Sequence, residues 1–409
     1  MHPLLPTRHD GPTAAGERLE LIDALRGFAL AGVLLVNLDS FSLYAFLDGV
    51  ARAALPTAGF DLRVDAIKSL LVDEKAVTVF SMLFGLGFAL QLERAEARGS
   101  MGLKLYARRM GVLLLFGLVH SYLFWWGDIL LVYALMGFLL VLCRRLSQRA
   151  LLASGFFVAL VLPAVASPWI DPLLKGMPSQ GAMEAANLAA FSSPNWLVAW
   201  AQNVVFSNWA YTVWWTIWPF VFGRFLLGFW AGRTGLLQQP EKHRHLLLGI
   251  FKAAAIIGTA ATALEYFEQP LSAAFSTTAG TWGSIALALV MRAGPLGLGI
   301  AYAAGFALLF LHEPARRYLR LLAPVGRMAL TNYLAQTAVC LALFYGAGLG
   351  IGPKYGVLGI LSAWIALFGA QVFFSRWWLS RYRFGPVEWL WRSLTYANRQ
   401  PMSVLRAVR

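Results

Sequence analysis

Charge is scarce in this 409-residue chain: Asp, Glu, Lys and Arg make up only 13% of it, and just 20 of those residues are acidic. Soluble domains carry about 25% charged residues, so the composition argues against a water-facing globule. Cysteine is scarcer still. The two present, Cys143 and Cys340, lie in apolar runs, which excludes a disulfide framework and a thiolate metal site. There is no Walker A loop, no G-x-G-x-x-G, no H-E-x-x-H, no C-x-x-C and no G-x-S-x-G. Those absences argue against P-loop nucleotide hydrolysis, dinucleotide binding, zinc proteolysis, dithiol redox chemistry and α/β-hydrolase catalysis. No metal is expected.

What is abundant is hydrocarbon: 59% of the residues are hydrophobic and the mean hydropathy is +0.62. The chain therefore reads as all-α, a polytopic transmembrane helix bundle. Apolar runs long enough to cross a bilayer, about 20 residues, fall near 21–47, 72–92, 110–126, 128–143, 150–167, 212–232, 246–266, 286–311, 328–347 and 356–375, an expectation of ten spans. A polar segment over 1–20 precedes one bundle over 21–375, which includes an outer segment at 168–211, and a basic tail follows from 376 to 409. No small-residue cleavage site follows the first run, so a retained anchor is expected there. A further interfacial helix is expected within 265–285. No internal repeat or second soluble domain is evident.

The net charge of +14 sits in short clusters between apolar runs, not along one polar face, so topology explains it better than a nucleic-acid partner does. With the N-terminus inside, the inner segments hold 24 of the 34 Lys and Arg residues and the outer segments hold 6. That asymmetry puts both termini in the cytoplasm and lays the basic tail on anionic membrane lipids.

An ionisable side chain at mid-bilayer costs roughly 2.5–3.5 kcal/mol on insertion scales, so those that persist face protein or water and mark function. In the first span, Asp23 and Arg26 are three residues apart and share a helix face. Asn37 returns to within about 20° of that face roughly 16 Å further along. The plainer account is an interfacial ion pair and an interhelical hydrogen bond. His120 and Asp128 stand in GLVHSYLFWWGDIL, residues 117–130. In a continuous helix they would be about 12 Å apart, so they meet only if the WWG turn folds Asp128 back. The carboxylate would then orient the imidazole and leave its other nitrogen as a general base, whereas the plainer account is a satisfied core histidine. Six of the sixteen tryptophans lie between 196 and 218, as an interfacial aromatic belt or as a lid.

The blocks LIDALRGFALAGVLLVN (21–37), FSMLFGLGFAL (80–90), RRMGVLLLFGLVH (108–120), GDILLVYALMGFLL (127–140), GRFLLGFWAGR (223–233), GRMALTNYLAQT (326–337) and FGPVEWLWRSLTY (384–396) resemble the YeiB-like family of bacterial membrane proteins, a family of unknown function. Its N-terminal signature is similar to those of two transmembrane acyltransferase groups, the acyltransferase-3 enzymes and heparan-α-glucosaminide N-acetyltransferase. The resemblance implies a bacterial inner-membrane enzyme that carries an acyl group from cytosolic acyl-CoA, acetyl-CoA above all, to an unidentified glycan, hydroxyl or amine acceptor. Acyltransferase-3 proteins have a histidine eleven residues after the first-span arginine; here that position is Asn37. In the heparan-type enzymes the working histidine comes later, and His120 is the one intramembrane histidine able to fill that role. On this reading Arg26, helped by Arg224 and Arg327 and paired with Asp23, holds the CoA phosphates. His120 takes the acceptor proton with Asp128 behind it, and Asn37 or Asn332 donates to the oxyanion. A homodimer is allowed. The rival readings are a solute transporter, whose breaks would be GLGIAYAAG (297–305) and the glycines of 346–352, and a non-enzymatic membrane protein.

Overall fold

The structure, a computed structural model, describes residues 20–96, 101–265 and 280–403. Most of the polar segment 1–20 and most of the expected interfacial helix at 265–285 lie outside these, as do the last six residues of the basic tail. The described chain is helical, and its one β-type contact is an isolated bridge between Tyr382 and Ser403. The main helices are α1 (Glu20–Phe41), α2 (Ala58–Leu71), α3 (Lys75–Glu96), α4 (Met101–Val119), α5 (Leu130–Leu140), α6 (Gln148–Phe156), α7 (Gln180–Phe191), α8 (Trp196–Val213), α9 (Ile217–Arg233), α10 (Arg244–Glu265), α11 (Gly280–Phe310), α12 (Ala329–Phe344), α13 (Gly356–Leu379) and α14 (Pro386–Tyr396).

Among the described residues, six helical stretches are long and apolar enough to cross a membrane: α1, Ala58–Glu93, Gln148–Leu174, Arg244–Leu264, α11 and α13. The other expected spans fall on helices that are short or interrupted. α5 has 11 residues, α9 has 17 and α12 has 16, while α4 ends in a five-residue π-turn at His120–Phe124. Position 376, the expected start of the tail, lies inside α13, which runs on to Leu379, and the outer segment at 168–211 holds α7 and most of α8.

Small residues set how closely the helices approach. In a bilayer, where lipid is as apolar as leucine, close backbone packing drives helix association. At Gly85 on α3 a Cβ would lie 2.0 Å from the Phe225 carbonyl oxygen on α9, and at Gly228 on α9 it would lie 1.9 Å from that of Met82. The two backbones touch, and Phe84 stacks on Phe225 at 4.5 Å between ring centres. α1 runs through the middle against α3, α12 and α13, so its residues Leu25, Leu30, Leu34 and Leu38 are fully buried. Around it the larger apolar core joins α4, α5, α8, α9 and α12. A second core gathers the start of α1 with α10 and α11.

Candidate functional site

α4 and α5 form a hairpin because Gly117 lets them meet: a Cβ there would sit 2.4 Å from the Leu131 nitrogen. After Val119 the helix widens into the π-turn, an irregularity that concentrates at functional sites. The chain then reverses through Trp125–Gly127. Trp125 is buried and stacks on Phe41 of α1 at 4.2 Å, pinning the turn.

This reversal carries Asp128 back to His120. The carboxylate Oδ1 lies 2.7 Å from His120 Nδ1, and Oδ2 accepts the Leu131 backbone N–H at 2.8 Å, capping the first turn of α5. A helix N-terminus favours a carboxylate. A carboxylate has no proton to donate, so Nδ1 is assigned as the imidazole atom that carries the proton. Nε2 is left with its lone pair, 2.9 Å from Thr337 Oγ1 on α12, and the Thr337 hydroxyl donates to it. His120, Asp128 and Thr337 are 4%, 4% and 2% exposed.

Hydroxyl groups extend the network. Tyr333, one turn before Thr337, accepts the Ile129 N–H through its hydroxyl at 3.4 Å and lays its ring 5.3 Å from the imidazole. Tyr211 of α8 donates to the Asp128 carbonyl at 3.2 Å, and its oxygen lies 3.0 Å from Ser121 Oγ. The π-turn frees backbone carbonyls, and α8 answers them: Asn203 donates to Ser121 O at 2.8 Å and Trp200 to Tyr122 O at 3.0 Å. The tryptophan-rich segment thus roofs the site. The buried indole N–H groups of Trp125 and Trp126, by contrast, have no hydrogen-bond partner.

The opposite end of the bundle is built differently. Arg26 pairs with Asp23 at 2.9 Å and keeps 30% of its side chain exposed. Arg109 of α4 lies 4.3 Å over the Trp391 ring of α14, its Nε unpartnered, with Arg26 and Arg392 near enough to repel it. Arg327 ends a short helix, Ala323–Arg327, whose Gly326 would touch the Asp23 carbonyl if it had a Cβ. So Asp23, Arg26 and Arg327 gather here.

Arg224 and Asn332 do not take the places expected of them. Arg224 is buried midway along α9, donating to Thr78 Oγ1 at 2.6 Å and to the Phe220 carbonyl at 3.0 Å. It lies about 13 Å of helix rise from Arg233, on the side of Thr78 and away from Arg26. Asn332 spends its amide on Val325 O and Ser375 Oγ, so it donates nothing towards His120. Asn37 is half-buried on α1.

Thr337, Tyr211, Arg109 and Glu388 escaped the sequence. Glu388 of α14 caps α12 from outside, accepting from Leu330 N at 2.7 Å, from Thr331 N at 3.0 Å and from the Thr331 hydroxyl. Burial pushes its carboxyl up from the ordinary range, against these hydrogen bonds, which favour the charged form. Lys68, whose side chain is 5% exposed, is also more than a loop charge: it bonds Asp39 and approaches Asp65 at 3.3 Å and Asp73 at 3.4 Å. Among the described residues no group of three His, Cys, Asp or Glu side chains is placed to hold a metal.

A family profile described as "Protein of unknown function (DUF418)" matches residues 231–398, a stretch that holds Thr337 but not His120. A Bacillus subtilis protein described as uncharacterized protein YxaH is 33% identical over 96% of this chain and 98% of its own length. The Escherichia coli protein described as uncharacterized protein YeiB is 31% identical over 93% of this chain and 96% of its own length. No solved structure matches the chain.

Proposed function

The chain belongs to the YeiB-like DUF418 family of bacterial membrane proteins, and we propose that it is a transmembrane acyltransferase. The observation that carries this reading is the buried His120–Asp128 pair, with the imidazole held as a base whose free nitrogen faces a hydroxyl. Ten spans, both termini cytoplasmic, would put Arg26 at the inner face of the bacterial inner membrane and the His120 turn in the outer half. Acyl-CoA would rest its phosphates on Arg26 and Arg109, where cations outnumber carboxylates, and reach the base with its thioester arm. His120 then deprotonates the acceptor as it attacks the thioester carbonyl. The free indole N–H of Trp125, on the same turn, is available to the oxyanion.

The test is acyl transfer from acetyl-CoA by the purified full chain in lipid. Turnover that depends on His120 supports the reading. Solute flux in liposomes with no acyl transfer sinks it and favours transport.

A further inference from the structure

Nucleophilic catalysis needs a hydroxyl or thiol against a base, and that base held by a third group. At the His120 turn all three are present: the Thr337 hydroxyl 2.9 Å from Nε2, and the Asp128 carboxylate 2.7 Å from Nδ1. We infer that Thr337 is itself a nucleophile, so that the acyl group passes through a threonyl ester on the protein. This rests on the acyltransferase reading and replaces its direct attack on the thioester by two steps, with the acceptor attacking the threonyl ester.

Three observations support it. The tautomer is fixed by the carboxylate, whose Oδ2 is engaged by Leu131 N–H, so Nε2 accepts and the Thr337 O–H donates, which is the polarity an activated hydroxyl requires. Thr337 is set on a rigid helix, with Gln336 and Tyr333 on the same helix bonded to α13 and to the hairpin. Among the described residues no side chain other than the His120 imidazole shares the hydroxyl, and Thr337 makes no hydrogen bond to the carbonyl one turn back, the usual resting place of a helical threonine.

The chemistry balances with the thioester as the only co-reactant. Thr337 Oγ1 attacks the thioester carbonyl while its proton passes to His120 Nε2; a C–O bond forms, the C–S bond breaks, and the imidazolium returns the proton to the departing thiolate. The acceptor's oxygen or nitrogen next attacks the threonyl ester, giving its proton to Nε2. Thr337 Oγ1 leaves and takes that proton back, and nothing is oxidised or reduced.

The experiment mixes the full chain in lipid with acetyl-CoA and no acceptor, then measures released CoA and the intact protein mass. A burst of CoA matching the protein concentration is expected, with one acetyl group mapped to the peptide that carries Thr337. Thr337→Ser keeps the burst, Thr337→Val abolishes both the burst and the adduct, and His120→Ala does the same. Repeated CoA release by Thr337→Val, or by wild-type protein with no adduct at any time point, shows transfer to water without the threonyl ester, and so overturns the covalent step and leaves the acyltransferase reading standing. Wild-type protein that neither releases CoA nor gains an acetyl group overturns both.

Discussion

The two ends of the bundle treat polar side chains in opposite ways. At the His120 turn both ring nitrogens and both carboxylate oxygens have partners within 3 Å and water is excluded. At the Arg26 end guanidinium groups crowd together, partly buried, and Arg109 keeps an unpartnered Nε. A bilayer core penalises every unsatisfied polar group, so the imidazole and carboxylate there are fully partnered, although the Trp125 and Trp126 indole N–H groups beside them are not. On the proposed reading, the first place would serve proton transfer and the second would hold an anion.

Asp128→Asn should break the first region most severely. The Leu131 N–H holds the side-chain oxygen on its side, so the new amide NH₂ faces His120 Nδ1. That forces the proton onto Nε2, the wrong tautomer for a base. A loss of about 10³–10⁴-fold in turnover is expected, the scale seen when a supporting carboxylate becomes an amide, with CoA affinity unchanged in an equilibrium binding assay.

The second region answers to different changes. Arg109→Ala or Arg26→Ala should weaken CoA binding about tenfold or more, since a charge-assisted hydrogen bond contributes roughly 1.5–3 kcal/mol. Arg224→Lys, far from that end, should leave the affinity as it is. Equal losses from all three would erase the distinction between the ends.

Gly117→Ala tests how the first region is positioned. Its Cβ would meet Leu131 N at 2.4 Å, whereas Gly111 on the same helix has open space. Gly117→Ala should cost roughly 1–3 kcal/mol in thermal unfolding, as overpacking does, and slow turnover; Gly111→Ala should do neither.

The smallest effect is at Glu388. Its folded pKa is raised by burial, so its contribution to stability is fully present below the ordinary carboxyl pKa. It is lost as pH rises through the raised value. Melting temperature should therefore fall gently with rising pH across that window, and Glu388→Gln should flatten the slope.

The helical membrane class was legible because composition and run length report the solvent directly. His120 and Asp128 were legible as residues out of place, yet their meeting depends on a π-turn and a pinned tryptophan that no periodicity announces. Thr337 lies 217 residues from His120, and nothing local marks it in GRMALTNYLAQT except its place one turn after Tyr333. Arg224 was misplaced because sequence shows an arginine inside the 212–232 span without showing that Thr78 and the Phe220 carbonyl already hold it. Asn332 looked available because sequence shows an amide without showing that Val325 and Ser375 already use it.

The most direct measurement takes wild type and His120→Ala in one lipid preparation and records acyl transfer from acetyl-CoA, CoA affinity and melting temperature together. The account expects transfer to fall about 10²–10⁴-fold, the range for a lost general base, with CoA affinity retained. Full transfer by a stably folded His120→Ala protein would contradict it.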